Sequence, residues 1–80
     1  MNYENYTSDQ KELAHTIVRK VGHSGCTTDE CVQVLSDMVG FLLAYMAQSK
    51  AELTEYVDNK LLPYIRRTAL DTYGLKHQND

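Results

Sequence analysis

A chain of 80 residues with 42% hydrophobic and 24% charged residues has the make-up of one folded domain and not of a disordered segment. Eight Lys and Arg against eleven Asp and Glu leave a net charge of −3, with both signs scattered along the chain. This neither supports nor needs a polyanionic partner, and it is too sparse in acid for a nucleic-acid mimic.

A single core of this size rarely contributes more than about 3–5 kcal/mol of net stability, so a supplement is expected. Two cysteines form at most one intrachain disulfide and cannot complete a four-thiolate metal site, which leaves oligomerisation as the strongest supplement.

The opening Met1-Asn-Tyr-Glu-Asn-Tyr-Thr-Ser-Asp is polar and acidic, unlike a basic-then-apolar signal peptide. The apolar run from Met38 to Ala47 is too short for a bilayer, which needs about 20 residues. Together these predict a soluble, cytoplasmic protein with reduced cysteines and no membrane partner.

Thr7-Ser-Asp-Gln10 fits a capping box and opens the first predicted helix. Leu13, Ala14, Ile17, Val18 and Val21 follow at helical spacing, and Gly22 suits a left-handed position ending the helix. After the connector His23-Ser-Gly-Cys26, a second box, Thr27-Thr-Asp-Glu30, opens helix two. Cys26 and Cys31 occupy the two positions of a hydrophobic staple across that start.

Helix two is predicted to reach about Gln48. Its first half is amphipathic, with Cys31, Val32, Val34, Leu35 and Met38 on one side and Gln33, Ser36 and Asp37 on the other. From Met38 onward the polar side vanishes. Its place is taken by the small residues Gly40, Ala44 and Ala47, flanked by Phe41 and Tyr45, and these five residues are the candidate interface for a second copy or another protein.

A third box, Ser49-Lys-Ala-Glu52, restarts the chain almost without a loop, which favours an antiparallel or sharply bent pair of helices. Leu53, Tyr56, Val57, Leu61, Tyr64, Ile65 and Thr68 continue an inward stripe through Pro63. That proline predicts a kink and not a stop, since it cannot donate to the Asn59 carbonyl and its ring crowds the turn. Gly74 is expected to cap this helix in the left-handed conformation, with Leu75 folding back on Leu70.

No alternating β pattern, internal repeat or low-complexity tract is present. The predicted fold class is all-α: a single three-helix domain over residues 1–80 with a Pro-kinked third helix, frayed at about 1–6 and 76–80, assembling as an interlocked homodimer.

His23, Cys26 and Cys31 are the one cluster with metal-ligand residue types, but His-x2-Cys-x4-Cys matches no common zinc spacing. A fourth ligand would have to come from His15, Asp29 or His77. A reduced staple pair beside a surface histidine explains the cluster better. A Cys26–Cys31 disulfide is disfavoured by compartment though not by proximity.

Cys31 lies near a helix start, where the dipole favours thiolate, yet no base is paired with it and no Gly-rich or Ser-His-Asp arrangement accompanies it. The expectation is therefore a non-enzyme with no metal, no cofactor and no evident small-molecule substrate. Arg19, Lys20, Arg66 and Arg67 read as solvated helix ends. Helix two is also far longer than the helices of a helix-turn-helix, so nucleic-acid binding is not favoured. Of the six tyrosines, Tyr45 is the best placed for an interface, because its ring is apolar and its hydroxyl can stay wet.

Tyr6-Thr-Ser-Asp-Gln10, Thr27-Thr-Asp29 and Val34-Leu-Ser-Asp-Met-Val39 together resemble, in order and spacing over the first half of the chain, the YejL-like family of small uncharacterised bacterial proteins. The resemblance implies a helical homodimer with no established activity and no site. The functional expectation is an adaptor or regulator working through protein contacts. The alternatives are a phage- or mobile-element-type inhibitor occupying an unidentified host protein through the helix-two strip or the Arg66/Arg67 end, and, less favoured, a DNA-associated regulator using the basic helix ends.

Overall fold

A computed structural model describes residues 3–77. The protein is all-α, and no strand occurs among the described residues. A 3-10 turn at Tyr3–Asn5 precedes α1 (Ser8–His23) and α2 (Thr28–Met46). The third helix is built in three pieces: α3 (Lys50–Tyr56), a π turn (Val57–Leu61) and α4 (Leu62–Lys76). The chain forms two compact units that divide between Phe41 and Leu42, so α2 begins in one and ends in the other.

The helix starts are set by side chains reaching back to the backbone. Thr7 Oγ1 accepts from Gln10 N–H at 3.1 Å while Gln10 Oε1 accepts from Thr7 N–H at 2.8 Å. Thr27 and Glu30 repeat the exchange at 3.2 and 2.8 Å. Of the third box only the hydroxyl half forms, Ser49 Oγ accepting from Glu52 N–H at 3.0 Å. Each bond satisfies a first-turn donor that has no partner inside its helix.

The helix ends depart from the sequence expectation. Gly22 does not end α1; the helix continues through His23, and the positive φ falls at Gly25, at 76°. Ser24 is the reason. Its N–H and its hydroxyl both donate to the Val21 carbonyl, at 3.3 and 2.9 Å, and its Oγ accepts from Cys26 N–H at 3.1 Å. Ser24 thus satisfies the Val21 carbonyl at the end of the helix, and the left-handed residue falls three positions after Gly22.

Helix α2 ends at Met46, short of Gln48, because Ser49 must adopt an extended conformation (φ −152°, ψ 158°) to cap α3. Gly74 lies within α4, which continues to Lys76. His77 closes it, donating its backbone N–H to the Tyr73 carbonyl at 3.0 Å with its ring 4.2 Å from the Tyr73 ring. Leu75, expected to fold back, is exposed.

The third helix passes through Pro63 without stopping. Proline leaves the Asn59 carbonyl without its usual donor. The chain answers with the wide turn just before it, in which Leu62 N–H reaches back five residues to the Val57 carbonyl. Tyr64 and Ile65, placed on the inward stripe by their spacing, remain 46% and 50% exposed. The half-buried positions of this helix are Leu53, Val57, Leu61 and Thr68.

No described residue in either unit is buried. In residues 3–41 the apolar stripe of α1 and that of α2 make an open groove instead of a closed core, leaving Ile17 and Leu35 each 38% exposed and Leu13 and Val34 more so.

Candidate interaction surface

The five residues singled out on helix two stay accessible to different degrees. Among the described residues Tyr45 is the most exposed large hydrophobic side chain, at 93%, and Phe41 is 61% exposed. Ala44 is exposed, and a Cβ added at Gly40 would meet nothing within 4 Å. Ala47, just past the end of α2, donates its N–H to the Leu43 carbonyl at 2.9 Å and is half-buried. It belongs instead to the wall of a 360 Å³ cavity shared with Leu43, Met46, Leu53 and Tyr56, with Glu52, Glu55 and Lys60 around it.

The second apolar feature is the groove between α1 and α2, about 260 Å³, lined by Ile17, Val21, Cys31, Val34 and Leu35 with Lys20 as its one charged wall residue. Cys26 and Cys31 both line it as free thiols, Cys26 exposed and Cys31 half-buried. Ser24 joins the two. Its single proton is donated to the Val21 carbonyl, so the Cys31 thiol, 3.9 Å away, acts as donor to the same oxygen that accepts from Cys26 N–H. The staple positions read from the sequence thus face one groove, and the residues around them were legible as the inward stripes of the two helices. Missing from the sequence reading was that nothing within the unit closes over them.

His23 and the two cysteines do not combine with His15 or Asp29 into a ligand set: no group of three or more His, Cys, Asp or Glu able to hold a metal ion occurs among the described residues. Arg66 and Arg67 share a surface with Asp58 and Asp71, and the Arg67 guanidinium lies 5.9 Å from the centre of the Tyr64 ring. Acids therefore flank this basic pair. Arg19 and Lys20 belong to the other unit. No described helix is long and apolar enough to cross a membrane. Comparison with protein-family models, with curated proteins and with solved structures finds no match for this chain.

Proposed function

We propose that this chain is a non-enzymatic helical interaction protein, an adaptor or regulator, whose working form is a homodimer contacting its second copy through Gly40, Phe41, Ala44 and Tyr45, with Ala47 at the edge. The observation that carries the reading is the absence of any buried residue in either unit among those described. Covering one large aliphatic or aromatic side chain gains about 1.5–3 kcal/mol. With nineteen such side chains exposed among the described residues, each unit by itself forgoes much of what normally offsets the ordering of its backbone.

The proposed setting is the cytoplasm, where Cys26 and Cys31 stay reduced.

Sedimentation equilibrium of the pure chain at micromolar concentration tests the reading. The expected mass is twice 9.1 kDa. A monodisperse, folded monomer overturns it.

A further inference from the structure

We propose that Cys26 and Cys31 are a reversible redox pair, reduced at rest and joined by a disulfide across the start of α2 when a small peroxide reaches the protein. The inference concerns residues 24–31 alone, within one unit, and does not rest on the homodimer reading.

Local geometry brings the two thiols to one place. Cys26 precedes the Thr27 cap and Cys31 lies one turn into α2, the two positions whose side chains pack on each other in a hydrophobic staple. The turn between them is held by hydrogen bonds: Thr27 N–H to Glu30 Oε1 at 2.8 Å, Glu30 N–H to Thr27 Oγ1 at 3.2 Å and Cys31 N–H to the Thr27 carbonyl at 3.0 Å. On the other side Gly25, at φ 76°, turns the chain so that Cys26 N–H donates to Ser24 Oγ at 3.1 Å, and the same oxygen lies 3.9 Å from Cys31 Sγ. Both thiols are free and both line the groove between α1 and α2.

Exposure assigns the order of reaction. Cys26 is exposed and Cys31 half-buried, so Cys26 meets the peroxide first. Its sulfur gives two electrons to the peroxide and takes one oxygen, becoming a sulfenic acid as water leaves. Cys31 Sγ then attacks that sulfur, its proton departing with the hydroxyl as a second water, and the S–S bond forms. Once oxidised, Cys31 has no proton to give Ser24 Oγ, and the connector is tied covalently to α2 beside the groove. A thiol reductant restores both groups.

The test treats the full chain, reduced and freed of reductant, with hydrogen peroxide, then alkylates the remaining thiols and reads intact and peptide masses. The expected product is a single chain lighter by two hydrogens, with Cys26 and Cys31 both protected from alkylation until dithiothreitol is added. In Cys31→Ser, where no second thiol can follow, Cys26 is expected to persist as a sulfenic acid that dimedone traps. A further readout separates a device of the fold from mere nearness in sequence: in a glutathione redox buffer, the ratio of disulfide to dithiol is expected to be about tenfold higher in the native chain than in the same chain unfolded in urea. Bonds only between chains, a sulfinic acid at Cys26 with Cys31 still open to alkylation, or an equal or lower ratio in the native chain would each overturn the proposal.

Discussion

Residues 3–41 and 42–77 are both helical and both unfinished, but for different reasons. In the first region two helices open on complete capping boxes, the end of α1 is fixed by local hydrogen bonds, and the groove lined by Ile17, Val34 and Leu35 has no cover from within the unit. In the second the helix opens on Ser49 alone, carries a π turn in its middle and lines its cavity with Glu52, Glu55 and Lys60 beside Leu43 and Leu53. The contrast separates two kinds of incompleteness. A well-capped apolar pair gains from any cover over its groove, whereas a polar-walled cavity can stay wet at little cost.

The sharpest way to break the contrast is to place a charge in the apolar groove. Leu35→Asp is expected to weaken the proposed homodimer by about 2–3 kcal/mol, roughly 100-fold in Kd, because the carboxylate would lose its water on assembly. Glu55→Ala, at the second cavity, is expected to shift Kd less than about threefold. Equal effects in sedimentation would erase the distinction between the two sites.

Ala44→Leu follows in size. Overpacking a close helix approach costs about 1–3 kcal/mol, read as a shift of the dimerisation midpoint toward higher concentration. An unchanged midpoint would take Ala44 out of the interface. Thr27→Ala is expected to lower stability by about 1 kcal/mol in thermal unfolding, since it removes the hydroxyl that accepts from Glu30 N–H, and Ser49→Ala, which removes one bond of the same kind, by about as much. A much larger loss at Ser49 would mean that its hydroxyl does more than hold a helix start.

Smallest is Pro63→Ala. It restores a donor to the Asn59 carbonyl and frees the unfolded chain, two effects that nearly cancel, so global stability is expected to change by less than about 1 kcal/mol. Amide exchange at Leu62 is the sensitive readout. Its rate should change as its bond moves from Val57 to Asp58, and identical exchange would show that the wide turn does not depend on the proline.

Helix starts were legible in the sequence because their chemistry spans four residues: Thr7 with Gln10, Thr27 with Glu30 and Ser49 with Glu52 all form the bonds their spacing implies, the last by half. Helix ends were less so. Gly22 and Gly74 have the right identity for left-handed caps, but the helices continue through both, to His23 and Lys76, and the composition of a single position does not reveal where the last turn falls. The interruption at Pro63 was readable as a departure from regular helix. Its form, a π turn lying wholly upstream, depends on how the preceding carbonyls rearrange.

On the candidate surface, the openness of Gly40 and Ala44 follows from α2 periodicity, while the half-burial of Ala47 depends on where the helix stops, two residues short of the boundary that the apolar run implies.

The π turn at Val57–Leu61 also acts as slack that can absorb the loss of one residue. Its hydrogen bond spans one residue more than a regular turn does, so deleting Asn59 would convert it to ordinary helix and leave Arg66, Arg67 and Leu70 facing nearly as before, whereas a deletion in regular helix turns everything beyond it by about 100°. A codon could be lost at this point without re-aiming the last quarter of the protein.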